Sequence, residues 1–265
     1  MQATAAPVST PVSVSVLGTA PVSAAQIASY HTQGFVHTPG ILTTAEAEDL
    51  RARYMSATER TKNFGDYGAA VFDQYVNLWQ QTDPSLLGLA LHPRMRATAT
   101  ALAGEPVRLW HDHLLVKRAK NGIPTEWHQD QPYWPHSDSA GALSAWVALV
   151  DVPQIRGCMS YIPGSHRHVD LEAQNLMDAH DLFRRCPELQ WQPSITVPVK
   201  AGDVVWHHAR TAHRAESNRS DVDRVVVSVI YMPRTTRYTG TAHICTEGRG
   251  YQVGAILDGD AFPDA

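Results

Sequence analysis

Arg224-Val-Val-Val-Ser-Val-Ile-Tyr231 is the most strand-like run in the chain. β-Branched residues dominate it, and an apolar run of this kind reads as a buried strand. The arginine that opens it is the informative residue. A buried guanidinium needs an anionic partner, because an unpaired buried charge is expensive. Its planar fork suits a carboxylate held at two points. That carboxylate is either an internal Asp or Glu or belongs to a ligand, unless the strand end is open to solvent.

Upstream lie further short β-rich runs: Val107–Val116, Leu143–Val150, Cys158–Ile162, Ile195–Val199 and Val204–Trp206. Turn signals such as Asn121-Gly122, Pro163-Gly164 and Gly202-Asp203 separate them. A helical pattern intervenes only over Leu171–Arg185. Many short strands predict an antiparallel barrel or double-sheet jelly roll. Before Gly104 the signals are helical. Ser23-Ala-Ala-Gln26 and Thr43-Thr-Ala-Glu46 are capping boxes, Gly34 stops the first helix, and a third helix spans Arg94 to Ala103. A segment from Phe64 to Gln81 interrupts them. The expected fold is mainly β with flanking helices packed outside the barrel. Residues 1–22, uncharged and broken by Pro7, Pro11 and Pro21, read as a flexible arm. Residues 23–265 then form one domain: a helical part over 23–104, a β core over about 105–235 and an extension over 236–265.

The 265 residues are 43% hydrophobic and 18% charged, with a net charge of −4, which excludes a disordered chain. No basic field is present to grip nucleic acid or an anionic membrane, and the longest apolar runs are too short to span a bilayer. No Lys or Arg precedes Arg51, so a secretory n-region is missing. Cys158, Cys186 and Cys245 lie far apart, which fits a reducing, cytoplasmic setting. No motif sets an oligomeric state.

Histidine is over-used, with 14 in the chain. The sharpest local signal is Trp127-His-Gln-Asp130. In a strand His128 and Asp130 would share a face and offer one metal ion a nitrogen and an oxygen. A further histidine from a distant strand would complete a two-histidine, one-carboxylate set, which leaves open positions for a cosubstrate and oxygen on Fe(II). His-x-Asp alone is common by chance. Other pairs compete, namely His111 with His113, His166 with His168, and His207 with His208. A zinc site from His111, His113 and one more histidine stays open at this level.

Combined motifs carry a resemblance. Trp127-His-Gln-Asp-Gln-Pro-Tyr-Trp-Pro135, Ser144-Ala-Trp146-Val-Ala-Leu149, Gly157-Cys-Met-Ser-Tyr-Ile-Pro-Gly-Ser-His-Arg167 and His213 followed by Arg224 resemble the phytanoyl-CoA dioxygenase family. Gln33-Gly-Phe-Val36 is similar to the family's N-terminal signature, and the likeness covers roughly Ala24 to Pro233. The resemblance implies a double-stranded β-helix and an Fe(II)- and 2-oxoglutarate-dependent oxygenase that consumes O2. It implies His128, Asp130 and His213 as catalytic metal ligands. Arg224, eleven residues after His213, would bind the far carboxylate of 2-oxoglutarate. Trp146, His113 and Lys117 would approach the same cosubstrate, while His207 and His208 revert to ordinary histidines beside the site. The family often has Ser two residues after the distal histidine, where this chain has Ala215. One lost hydrogen bond is worth about 1 kcal/mol, which leaves Arg224 sufficient.

Asp130 also bears on the reaction, because halogenating relatives replace this carboxylate with Gly or Ala. Hydroxylation, epimerisation, desaturation or ring closure remain. An acyl-CoA would want more phosphate-binding Lys and Arg, so a small metabolite of a biosynthetic pathway fits better. Tyr133, Trp134 and Trp79 are candidates to line its pocket, and the segment from His168 to Leu189 is long enough to cover it. Two rivals are a non-redox cupin-like metalloenzyme and a ligand-binding jelly roll without catalysis.

Overall fold

The computed structural model describes residues 22–61, 71–137 and 141–265. Of the expected arm over 1–22, residues 1–21 lie outside the described residues, as does the stretch from Phe64 to Ala70, whereas Val22 is buried.

Helix α1 (Ala24–Gln33) begins at the predicted capping box. Ser23 Oγ accepts from the Gln26 amide at 3.2 Å, and Gln26 Oε1 accepts from the Ser23 amide at 2.9 Å. It ends at Gly34, whose φ is +86°; a Cβ there would stand 2.5 Å from His166 and Thr211 side-chain atoms. Strand β1 (Phe35–Thr38) follows, then α2 (Thr44–Thr58), capped by Thr43 and Glu46 in the same way. After these come β2 (Asp73–Val76), α3 (Leu78–Gln81), α4 (Leu87–Ala90) and α5 (Pro93–Ala103). The β-rich part supplies β3 (Val107–Lys117), β4 (Thr125–His128), β5 (His136–Ser137), β6 (Leu143–Ala148) and β7 (Met159–Tyr161). Helix α6 (Asp181–Arg185) precedes β8 (Ile195–Val197), β9 (Val204–His208), β10 (His213–Ala215), β11 (Arg224–Pro233) and β12 (Arg237–Tyr238). Among the described residues no helix is long and apolar enough to cross a membrane.

One antiparallel sheet runs β1-β9-β6-β11-β3-β2 and a smaller one runs β4-β10-β7-β8. The double-sheet jelly roll expected from the sequence is the fold. Strand β11 is buried throughout because both of its faces are covered. Val225, Val227, Val229 and Tyr231 pack beneath the helices with Leu50, Tyr54 and Leu102. Val226 faces the other way, into a core shared with Met159, Tyr161 and Ala215 of the smaller sheet. Each such fully buried side chain contributes roughly 1.5–3 kcal/mol of burial.

A bulge in β3 alters its pattern. Ile230 pairs with His111 but Tyr231 pairs with Leu109, so Trp110 is an extra residue. One inserted residue turns the following side chains to the opposite face. Leu109 therefore sits in the helix-side core, whereas His111 and His113, of the same parity, face the space between the sheets.

One expectation needs correction. The helical pattern over Leu171–Arg185 forms only α6, followed by a 3-10 stretch over Pro187–Trp191. Gln174 in that segment is spent on tertiary contacts instead: its Oε1 accepts from the Gln129 amide at 2.8 Å, and its carbonyl accepts from the Tyr133 hydroxyl. The extension after residue 235 packs as part of the domain. Strand β12 pairs with β5, the Ala265 amide donates to the Val107 carbonyl at 3.1 Å, and Cys245, Leu257 and Phe262 bury Trp110 and Met232.

Candidate active site

A cavity of about 290 Å³ opens between the two sheets. Strand β11 lays out its length, because Arg224, Val226, Ser228 and Ile230 alternate inward. At about 3.3 Å per residue, Arg224 and Ile230 stand roughly 20 Å apart along the strand.

The metal-type corner lies on the smaller sheet. His128 at the end of β4 and His213 at the start of β10 are direct cross-strand partners, with ring centroids 4.2 Å apart. Asp130 lies past the end of β4, in helical backbone (φ −74°, ψ −43°), so shared strand parity is not what brings it to His128. The chain turns there, and the Asp130 and Gln131 amides both donate to the Ala209 carbonyl, at 3.0 and 2.9 Å. This turn carries the carboxylate back to the histidines: Asp130 Oδ1 is 3.8 Å from His128 Nε2 and 3.5 Å from His213 Nε2. One donor atom from each of the three residues falls within 4.8 Å of the others.

Hydrogen bonds fix which atoms face the corner. His128 Nδ1–H donates to the Glu126 carbonyl at 2.7 Å, and His213 Nδ1–H donates to the Thr211 carbonyl at 2.8 Å. Both Nε2 atoms thus present lone pairs inward, the tautomer that a metal requires. Burial holds both imidazoles below their usual pKa, so they are neutral at physiological pH. Burial by itself would raise the Asp130 pKa, but the facing His213, His207 and His128 outweigh it and the carboxyl titrates far below the usual range.

The other carboxylate oxygen is held by two residues that the sequence reading left without a role. Ser144 Oγ donates to Asp130 Oδ2 at 2.8 Å, and His207 Nε2–H donates to it at 3.1 Å. Ser144 and His207 are cross-strand partners on β6 and β9. The Tyr161 hydroxyl reaches His207 Nδ1 at 3.4 Å, which leaves the His207 proton on Nε2. Asp130 is thereby oriented with one oxygen pinned and one facing the histidines. The Ser144/His207 register was the available signal, but it needs the strand pairing to be visible.

Arg224 lines the far end of the cavity and is 2% exposed. Nη1 donates to the Gly157 carbonyl at 3.0 Å, and the guanidinium carbon lies 5.6 Å from the Trp146 ring centre. Gly157 has a φ of +79°, and a Cβ there would fall 2.4 Å from the Glu216 carbonyl oxygen. Arg224 Nε has no partner, and among the described residues no carboxylate pairs with this side chain. Burial lowers its pKa to about 10. Among the described residues an internal acidic partner and an exposed strand end are both excluded there. The donor set at the corner and this orphaned guanidinium suit a metal ion and a dicarboxylate.

The remaining candidates divide. Trp146, His113, Tyr133 and Trp134 line the cavity. Lys117 does not, since its Nζ donates to the Ile123 and Glu216 carbonyls and to Thr125 Oγ1. Burial beside Arg224 lowers the Lys117 pKa to about 6. Trp79, on α3, is also off the cavity, buried in the helix-side core where an aromatic fills volume. Ala215 lines the cavity without a hydroxyl, but its cross-strand partner Thr125 lines it too. His243 and Ile244, from the extension, complete the opposite end. His111, His243 and Cys245 form a second group of close donors. His243 Nδ1 already accepts the Cys245 amide at 3.2 Å, and burial pushes the Cys245 thiol up to about 12, so this group is poorly prepared for a metal.

The sequence profile of the phytanoyl-CoA dioxygenase family, PhyH, matches residues 30–226. Two solved structures share the fold. The carbocyclase SnoK from nogalamycin biosynthesis is 35% identical, with 93% of this chain and 98% of that one covered and a TM-score of 0.82. The epimerase SnoN, in complex with Fe3+, alpha ketoglutarate and nogalamycin RO, is 40% identical over 91% of this chain and 97% of its own, with a TM-score of 0.78. A probable alpha-ketoglutarate-dependent hypophosphite dioxygenase of Stutzerimonas stutzeri is 27% identical over 48% of this chain and 46% of its own length. The chain thus spans about half the length of that curated relative.

Proposed function

The chain belongs to the phytanoyl-CoA dioxygenase family of iron- and 2-oxoglutarate-dependent oxygenases, and on that footing we propose that it oxidises an unactivated C–H bond of a small biosynthetic intermediate. The observation that carries this reading is the conjunction, in one cavity, of the His128–Asp130–His213 corner and a buried Arg224 that has no carboxylate partner among the described residues. His128, Asp130 and His213 would hold iron facially, leaving positions for 2-oxoglutarate and O2. The bound iron supplies oxygen activation coupled to decarboxylation of 2-oxoglutarate to succinate and CO2.

The protein's own part is positional. Arg224 pairs with the far carboxylate, with the Trp146 face beside it and the Thr125 hydroxyl on the same wall. His113 and Trp146 flank Ser228 on the two neighbouring strands, which puts His113 between the cosubstrate and the opposite end of the cavity. Ser144 and His207 fix the Asp130 carboxylate, so one oxygen is presented to the metal. Gln174 and Leu176, in the long segment after His168, close over Tyr133 and exclude water.

The products of the relatives bear on the outcome. SnoK is a carbocyclase and SnoN an epimerase, so ring closure and epimerisation stand beside hydroxylation as outcomes of the same hydrogen abstraction. The test is an anaerobic titration of Fe(II)-loaded protein with 2-oxoglutarate, read by the weak visible charge-transfer band. Absence of the band, together with no succinate formed in air with any substrate, would return the fold to the cupin-like or binding-module readings.

A further inference from the structure

The end of the cavity opposite Arg224 has its own construction. His111 and His113 from β3 meet His243 from the extension, with ring centroids 4.4 Å (His111–His113) and 5.7 Å (His111–His243) apart. Trp134 stands perpendicular to His111 at 6.3 Å, and Ile230 and Ile244 complete the wall. His111 is 1% exposed, yet among the described residues neither ring nitrogen has a hydrogen-bond partner. A buried polar atom left unsatisfied costs about 1–3 kcal/mol, so two on one ring call for a partner that arrives with the ligand. His243 is set as a donor, because its Nδ1 accepts the Cys245 amide and its proton therefore sits on Nε2.

Charge narrows the ligand. Among the described residues that line the cavity, Asp130 is the one carboxylate and Arg224 the one guanidinium, and both are committed elsewhere. Burial holds the three wall imidazoles neutral. A carboxylate, phosphate or ammonium against this wall would be desolvated without a counter-charge. A hydroxyl both donates and accepts, and a carbonyl accepts, so either matches neutral imidazoles flanked by flat apolar side chains.

We propose that this wall is the substrate subsite, and that it takes an uncharged, ring-bearing molecule through hydroxyl or carbonyl oxygens hydrogen-bonded to His111 and His243. The inference rests on the oxygenase reading for the word substrate, but the binding it describes does not need iron. The rings of Trp134 and Tyr133 would cover the faces of the ligand, and its oxygens would satisfy the orphaned His111 nitrogens.

The experiment uses the full chain and three matched probes followed by calorimetry at pH 7.5: 2-naphthol, 2-naphthoate and (2-naphthyl)methylammonium. Wild type should bind the naphthol at least about tenfold more tightly than either charged probe. His243→Phe and His111→Phe keep a flat ring and remove the hydrogen bond, so each should weaken naphthol binding about five- to tenfold, one hydrogen bond's worth. The preference for the neutral probe is measured in wild type, so it holds even if one variant fails to fold. Equal or tighter binding of a charged probe, no binding of 2-naphthol by wild type, or unchanged naphthol affinity in folded Phe variants would overturn the proposal. The anaerobic Fe(II)–2-oxoglutarate band is recorded on the same wild-type sample. A missing band with the naphthol preference intact would remove the oxygenase reading and leave the subsite, while a present band without that preference would do the reverse.

Discussion

Replacing Arg224 by Met separates what this residue does for the fold from what it does for the cosubstrate, because the two effects have opposite signs. The guanidinium is buried and its pKa falls from 12.5 to about 10, a loss worth about 3 kcal/mol at about 1.4 kcal/mol per unit. Below pH 10 both the folded and the unfolded states carry the charge, so this penalty is constant through the neutral range and shrinks only as pH rises from 10 to 12.5. Against it stand the Nη1 bond to the Gly157 carbonyl and the contact with Trp146, about 1 kcal/mol each. Methionine fills similar space without charge, so the protein free of ligand should gain about 1 kcal/mol and melt a few degrees higher. Binding of 2-oxoglutarate should fall by about 2–5 kcal/mol, or roughly 30- to several-thousand-fold. Differential scanning calorimetry with and without 2-oxoglutarate, alongside the anaerobic Fe(II) titration, reads both quantities. Wild type should gain stability on adding saturating cosubstrate, and Arg224→Met should not. Arg224→Lys should recover part of the affinity, and Arg219→Ala should behave as wild type. A variant that melts lower and binds 2-oxoglutarate within threefold of wild type would refute the assignment of Arg224 to a ligand carboxylate.

His128→Ala, Asp130→Ala and His213→Ala should each abolish turnover and weaken iron binding by at least tenfold in a metal titration, whereas His208→Ala should retain the metal. His207→Phe together with Ser144→Ala frees Asp130 Oδ2, so iron affinity should drop about 10–100-fold while the apparent constant for 2-oxoglutarate moves little; unchanged iron affinity would deny them the positioning role. Thr125→Val should raise the apparent constant for 2-oxoglutarate several-fold, the value of one hydrogen bond, and Ala215→Ser should lower it. Asp112 is buried with its carboxyl raised to about 7, above the ordinary value of 3.8. A raised acid is most favourable to the fold below pH 4 and loses that advantage as pH climbs to 7, by at most roughly 4 kcal/mol. Asp112→Asn keeps an acceptor for the Tyr54 hydroxyl, which now donates to Oδ2 at 2.9 Å, so denaturation midpoints should rise at pH 8 and lose part of their fall between pH 5 and 8.

The local signals carried far. Both capping boxes, the Gly34 and Gly104 stops and the strand runs are decided by neighbours within a few residues, so they are legible in one dimension. The spacing of His213 and Arg224 was legible too, because one short connection carries the chain from β10 in the smaller sheet to β11 in the larger. What the sequence could not determine depends on pairing between distant strands. Ser144 and His207 are 63 residues apart and meet at Asp130 only through the β6–β9 register. Asp130 reaches the histidines through a turn that the strand pattern does not announce, and the single extra residue at Trp110 decides that His111 and His113 face the cavity. Trp79 packs in the helix-side core and the Lys117 ammonium is taken up by the Ile123 and Glu216 carbonyls and by Thr125, partners that residue type does not announce. Side-chain type and short-range spacing set the chemistry available. The register of the sheets, fixed by burial of both faces of β11, chose which of those groups share one cavity.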